Sequence, residues 1–257
     1  MSQFQNQVAL VTGGGTGVGR STVLKLASEG ASVVVNYSRS EDDAMKTASE
    51  ASEHGVRCVA MQADVSDESQ VANMFQKIEA EFGRLDILVN NAATTEMIAY
   101  TDLDELSSEI WDRVLGVNVK GAFFCCRSAT PLMKQSGRLG SSTDAGQIVN
   151  VSSIAGVTGL GSSIAYAASK GALINMTRAF AVSQAPSIRV NAVAPGVIET
   201  RWIEGWEKYT DPHKQSTPLQ RHSTPDDIAI AIYSLLINPM VTGQTLVVDG
   251  GRTIGAS

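Results

Sequence analysis

Cysteine is scarce in this chain and has no motif spacing. Among 257 residues there are three, Cys58, Cys125 and Cys126. An odd count without C-x-x-C spacing excludes a fully paired disulfide framework and offers no zinc site. Buried, reduced thiols are expected instead, and with them a cytoplasmic protein. Histidine is equally sparse. His54, His213 and His222 are scattered, with no second ligand at metal-binding spacing, so no metal site is expected. Positive charge is in deficit, with 20 Lys and Arg against 26 Asp and Glu, a net charge of −6. That balance attracts neither nucleic acid nor an anionic membrane. Long apolar runs are absent. Met1–Gln7 is polar, and Val8–Val11 is far too short for a signal sequence or a membrane span. With 43% hydrophobic and 18% charged residues, the composition is that of a soluble globular chain. Its length suits one large domain.

What is present is an alternation. Short β-branched or apolar runs at Val8–Val11, Val33–Val35, Val56–Met61, Ile87–Val89, Ile148–Val151, Ile188–Ala192 and Thr245–Val248 read as strands. Amphipathic stretches between them read as helices, at about 17–29, 41–54, 68–82, 106–134, 163–183 and 225–237. Nearly continuous apolar strands are buried on both faces, and strand–helix alternation implies parallel pairing with right-handed crossovers. The expected fold is α/β, a doubly wound seven-stranded parallel sheet between two helix layers. It is read as one domain over 1–257. Ser136–Gly146, rich in Gly and Ser, is expected to be a mobile surface connection. The stretch from Gly196 to Pro218 is long for a connection in a compact domain and carries Trp202, Trp206 and Tyr209. It is expected to be a substrate loop.

After the first strand stands Thr12-Gly13-Gly14-Gly15-Thr16-Gly17-Val18-Gly19. A strand, a glycine turn and a helix start make a pyrophosphate site. Glycine allows the tight turn, and the helix start offers unpaired N–H groups and a positive dipole end. The second strand ends in Asn36-Tyr37-Ser38-Arg39-Ser40, with no acid before Glu41. An acid there would bind ribose hydroxyls and repel a 2′-phosphate. The hydroxyls of Tyr37 and Ser38, with the Arg39 guanidinium, suit a 2′-phosphate instead. This favours NADP(H), with NAD(H) left open.

Tyr166 and Lys170 are four residues apart in a helix and so share a face. A free phenol has a pKa of roughly 10, too high for an efficient proton shuttle near neutrality. The lysine, assisted by cofactor charge, is expected to lower it. Ser153 follows the fifth strand, where open α/β sheets place ligands, and its hydroxyl can polarise a carbonyl. Ser152 is its rival, with a turn or cap as the alternative role. Asn118 lies inside a helical stretch that it suits poorly. It is either a solvated helical residue or one that orders a water or kinks the helix near the lysine.

The ordered set resembles the short-chain dehydrogenase/reductase family across residues 8–251. The motifs are TGGGTGVG at 12–19, Asp64-Val65, Asn90-Asn91-Ala92-Ala93, Asn118 within NVKG, IVNVSS at 148–153, YAASK at 166–170, Pro195-Gly196 and VDGG at 248–251. The resemblance implies that Tyr166 is the acid/base, that Ser153 polarises the carbonyl, and that Lys170 tunes the tyrosine and binds the nicotinamide ribose. It implies that Asn118 holds a water on a proton path. Asp64 and Val65 would contact adenine, and Asn91, Ala92 and Ala93 would line the cofactor cleft. Ile198 and Thr200, following Pro195 and Gly196, would hold the carboxamide and the phosphate side. A homotetramer is implied, acting on a small carbonyl or alcohol, a 3-oxoacyl thioester or a sugar.

Two positions depart from the family pattern. Thr16 stands where NADP-dependent members often have Arg, and Ala93 where Gly is usual. The competing readings are a non-catalytic dinucleotide sensor, for which four intact active-site residues would be needless, and dehydration or epimerisation through a transient ketone, which calls for a longer chain.

Overall fold

The structure, a computed structural model, describes residues 2–137, 145–203, 205–206, 210, 214–215 and 217–255. Strands β1 (Val8–Val11), β2 (Ser32–Tyr37), β3 (Cys58–Gln62), β4 (Ile87–Asn90), β5 (Gly146–Val151), β6 (Ile188–Pro195) and β7 (Thr245–Val248) form a seven-stranded parallel sheet. The order is β3-β2-β1-β4-β5-β6-β7. Winding reverses between β1 and β4, which opens a crevice above the carboxyl ends of the strands.

Period-two alternation along each strand feeds two cores. Ala9, Val11, Val33 and Val35 point to one face, packed by α1 (Gly17–Ser28), α2 (Glu41–Ser52) and α8 (Pro225–Ile237). Val8, Leu10, Val34 and Leu88 point to the other, packed by α3 (Glu68–Phe82) and α5 (Ala122–Ser136). Local chemistry sets the helix ends. The Asp67 carboxylate accepts from the N–H groups of Ser69 and Gln70 at the start of α3, and Gly83, at φ +66°, ends it. Thr224 and Asp227 form a reciprocal capping box at the start of α8, with Pro225 in the first turn.

Three features differ from the sequence reading. β2 and β6 run further, to Tyr37 and Pro195. The stretch 106–134 is not one α-helix but α4 (Ser108–Leu115), a π-helical segment Gly116–Gly121, and α5. A side chain at Gly121 would sit 2.8 Å from Val65 Cγ2, so the widened turn presses main chain onto the start of the third crossover. Of the Ser136–Gly146 connection, Ser136 closes α5 and Gly146 opens β5, while 138–144 lie outside the described residues.

Cys125 and Cys126 are buried, as expected, and Cys58 is half-buried. Burial pushes the Cys126 thiol up to about 12. Among the described residues no helix is long and apolar enough to cross a membrane.

Candidate active site

The crevice is a continuous cleft of about 1540 Å³ along the carboxyl edge of the sheet. That exceeds the usual volume of a single small-ligand site, roughly 300–1,000 Å³, and leaves room for a dinucleotide and a substrate together.

Its floor begins at the glycine turn. Gly13 has φ +61° and Gly17 φ +52°, conformations that side chains rarely adopt. A Cβ on Gly19 would lie 2.1 Å from the Gly13 carbonyl oxygen. Gly19 therefore does not face the cleft; it lets the helix approach the turn. The first turn of α1 has no acidic residue, and Thr16, extended at its N-cap, makes no side-chain cap. The N–H groups of that turn are thus left for an anion, and Thr16, Gly17 and Val18 line the cleft beside them. These features fit the pyrophosphate of a nicotinamide dinucleotide.

Two asparagines hold the turn in place. The buried Asn36 amide donates to the carbonyls of Tyr37, Met61 and Ala63, and its oxygen accepts from Gly13 N at 3.3 Å. Asn91 Nδ2 donates to the carbonyls of Thr12 and Gly13, each at 3.0 Å, while the Thr12 hydroxyl receives the N–H groups of Asn91 and Ala92. Asn91 thus builds the cleft as well as lining it.

At the end of β2, Ser38 and Arg39 line the cleft, as the sequence predicted. Tyr37 does not. It is 9% exposed and packed in the core with Val33 and Val35, because strand alternation turns 33, 35 and 37 to one side. Burial, and then the neighbouring Glu41 carboxylate, raise its phenol pKa. Asp64 and Val65 line the cleft after β3, and Asp64 Oδ1 accepts from Ser66 N and Oγ. Ala92 and Ala93 follow β4 along the same wall.

Tyr166, Lys170 and Ser153 converge above β5. They stand on α7 (Ile164–Gln184), capped by Ser163, and on the turn before the short helix α6 (Ala155–Thr158). Ser153 lines the cleft and accepts from Ala155 N at 3.1 Å. Its rival Ser152 is buried, and its hydroxyl donates to the Lys170 carbonyl at 2.9 Å, an anchor between β5 and α7. Lys170 is 2% exposed. Its Nζ donates to the Val151 carbonyl at 2.8 Å and lies 5.6 Å from the Tyr166 ring centroid.

The electrostatic balance is not the one the spacing suggested. Burial pushes the Tyr166 phenol up to about 12, and the opposing influence comes from the Ser153 hydroxyl, not from the lysine. Burial also pulls Lys170 down to about 8. A desolvated ammonium is itself disfavoured, and this one spends a hydrogen bond on Val151.

Asn118 is not solvated. It lies in the π-helical segment, 1% exposed. Its Oδ1 accepts from Thr94 N at 2.8 Å, and its Nδ2 donates to the Thr94 carbonyl and to Ser169 Oγ, both at 2.9 Å. Its side chain is occupied in fastening the loop after β4 to the residue beside Lys170, and it does not reach the cleft.

Beyond Pro195, the Gly196 N–H donates to Val248 at 3.0 Å and Ile198 pairs with Ser223 as a parallel bridge. Thr200 leans over the glycine turn, with Cγ2 3.3 Å from where a Cβ on Gly17 would stand. Arg201 reaches across to Asp43 of α2 at 2.8 Å. Pro195, Gly196, Ile198 and Thr200 all line the cleft, as do Trp202 and Trp206. Tyr209 lies outside the described residues.

Sequence reasoning missed Tyr100. Its hydroxyl donates to the Gly159 carbonyl at 2.7 Å and accepts from Gly161 N at 2.9 Å, which ties the loop after β4 to the loop before α7. Thr95 and Ser162 share a hydroxyl pair at 2.5 Å beside it. No sequence signal pointed to these contacts beyond the position of both loops at strand carboxyl ends.

Residues 13–253 match the family profile described as Enoyl-(Acyl carrier protein) reductase. A Burkholderia xenovorans structure assigned to the short-chain dehydrogenases/reductases superposes with a TM-score of 0.89, at 34% identity over 97% of this chain and 98% of that one. The chain belongs to the short-chain dehydrogenase/reductase family. It is 36% identical to the 3-oxoacyl-[acyl-carrier-protein] reductase of Synechocystis, over 99% of this chain and the whole of the relative. It is 38% identical to cis-4-hydroxycyclohexanecarboxylate dehydrogenase of Sinomonas cyclohexanicum, over 97% of this chain and 98% of that protein. As a short-chain dehydrogenase/reductase it is an NAD(P)-dependent oxidoreductase acting on carbonyl and CH–OH groups, and the sensor reading is not favoured.

Proposed function

We propose that the protein is an NADP(H)-preferring reductase of a small ketone, with Tyr166 as proton donor. The observation that carries this reading is the meeting of Tyr166, Ser153 and Lys170 on one wall of the dinucleotide-sized cleft. A bound reduced cofactor supplies the hydride. The Ser153 hydroxyl donates a hydrogen bond to the substrate carbonyl oxygen and draws charge onto it. The Tyr166 phenol, neutral throughout the physiological range, hands its proton to that oxygen as the alcohol forms. Lys170 binds the nicotinamide ribose and acts as a positive neighbour for the phenolate left behind. Asn118 is a positioning residue that holds the Thr94 loop and Ser169 in register, with a water on the proton path beyond it.

Arg39 and Ser38 receive the adenosine 2′-phosphate. Asp64 and Val65 hold adenine, Thr200 the phosphates and Ile198 the carboxamide. Asn91, Ala92 and Ala93 form the wall between. The chain works as one domain, with 196–218 as its substrate loop, and assembles as a homotetramer in the cytoplasm. Met97, Leu160, Trp202 and Trp206 give the cleft wall an apolar, aromatic character that favours a compact ketone over a polyhydroxylated sugar. A 3-oxoacyl thioester, as in the Synechocystis relative's name, is the second candidate.

The test is a panel of ketones, 3-oxoacyl thioesters, sugars and secondary alcohols with each cofactor, followed at the reduced-cofactor absorbance. Reduction of small ketones with NADPH at higher kcat/KM than with NADH is the expected result. Turnover of no compound sinks the reading.

A further inference from the structure

Two guanidinium groups line the cleft and have no hydrogen bond or ion pair among the described residues: Arg39 and Arg252. Most other arginines among the described residues are engaged. Arg84 pairs with Asp86, Arg127 with Glu68 and Arg221 with Asp227. Arg189 donates to the carbonyls of Leu235, Leu236 and Val241. Arg178 stands exposed on α7. Arg39 lies just past β2, at the adenosine end.

Arg252 lies past β7, in the four-residue helix α9 (Arg252–Gly255). It is half-buried, and burial, only partly offset by the charge of Asp249, pulls its pKa down. Asp249 does not neutralise it by contact, because its two carboxylate oxygens accept from Gly251 N at 2.8 Å and Thr253 N at 2.7 Å. A guanidinium taken partly out of water without a partner is costly and rare. Such a site is complete only with an anion, and a planar carboxylate matches the fork of its donors.

Strand order says which anion. The glycine turn follows β1, four strand positions from β7, which puts the cofactor phosphates roughly 19 Å away. Ser153 follows β5, only two positions from β7, so the strand ends that carry Ser153 and Arg252 are about 10 Å apart. We infer that Arg252 is the substrate-anchoring residue, and that the substrate is a ketone carrying a carboxylate within about 10 Å of its carbonyl. The inference rests on the proposed placement of the carbonyl at Ser153 and Tyr166. The phosphates of a carrier arm or of coenzyme A stand much further from their thioester, and Arg252 is too near to serve them.

The experiment is calorimetric titration of the cofactor-saturated protein with 7-oxooctanoate, its primary amide and acetoacetyl-coenzyme A. The amide keeps shape and loses charge. Wild type and Tyr166→Phe are expected to bind the acid at least ~10-fold more tightly than the amide. In Arg252→Gln the acid falls to the affinity of the amide, and Arg252→Lys recovers part of the difference. Equal affinities in wild type, no binding of the acid, or a preference that survives Arg252→Gln overturns the inference. So does an equal Arg252 dependence for acetoacetyl-coenzyme A, or a change of oligomeric state in Arg252→Gln by sedimentation. Binding with the expected preference but no turnover counts against the Tyr166 reading alone, since binding needs no proton transfer.

Discussion

Between β2 and β4 the wall of the cleft is main chain pinned by two asparagine side chains. Asn36 and Asn91 spend their amides on backbone groups of the glycine turn and neighbouring strands. Between the loop after β4 and β7 the wall is loop held to loop by side chains. Tyr100 joins two loops, Thr95 meets Ser162, and Arg201 reaches Asp43. The first construction fixes one shape, suited to an invariant cofactor. The second can be altered one residue at a time without disturbing the sheet, and that is where a family sharing one reaction can vary its substrate.

The largest expected effect falls on the seam between these regions. Tyr166→Phe should lower kcat by ~10²–10⁴-fold while cofactor affinity moves little. Retention of a tenth of wild-type kcat would show that another group donates the proton.

Lys170→Met tests the same seam through stability. The folded pKa of about 8 lies below the unfolded value of 10.5, so between them the unfolded chain binds more protons and wild-type stability rises with pH. Below pH 8 the buried ammonium costs about 3 kcal/mol. The inactive Met variant should therefore need more urea to unfold than wild type at pH 7, with the gap narrowing from pH 8 to 10.5. A gap independent of pH would mean that the ammonium is not what burial penalises.

Arg39→Ala should act on the main-chain region only, raising KM for NADPH by ~10- to 100-fold while barely changing KM for NADH. Equal changes for both cofactors would remove Arg39 from the specificity site. Tyr100→Phe should act on the loop region only. Losing its two hydrogen bonds should raise substrate KM by ~3- to 10-fold, with cofactor KM unchanged. A parallel rise in both would join what the comparison separates.

These contrasts track what the sequence made legible. The glycine turn could be read because positive φ at Gly13 and Gly17 is a local demand that few other residues meet. The Tyr166–Lys170 pairing could be read because helix spacing alone brings them to one face. The inward turn of Tyr37 was also within reach, since the period of two set by Val33 and Val35 continues to it once β2 is extended. The direction of the phenol shift was not, because desolvation depends on what packs above it. Nor were the Asn36 staple on Gly13 and the Tyr100 tie to Gly161, whose partners lie 23 and 61 residues away in sequence. Nor does anything in the sequence mark Arg252, whose guanidinium has no partner among the described residues.

The π-helical segment at Gly116–Gly121 carries a consequence for how this chain tolerates change in length. An extra residue in a turn rotates everything downstream by about 100°. α4 meets α7, while α5 meets α3 and strands β4 and β5, so the wide turn works as a phase shifter between two differently aimed stripes on one rod. Deleting a single residue there would regularise the helix, swing Cys125, Cys126 and Ala129 out of the core and carry Asn118 away from Thr94. Such a deletion would leave almost every residue of the chain in place and still cost both the packing and the site.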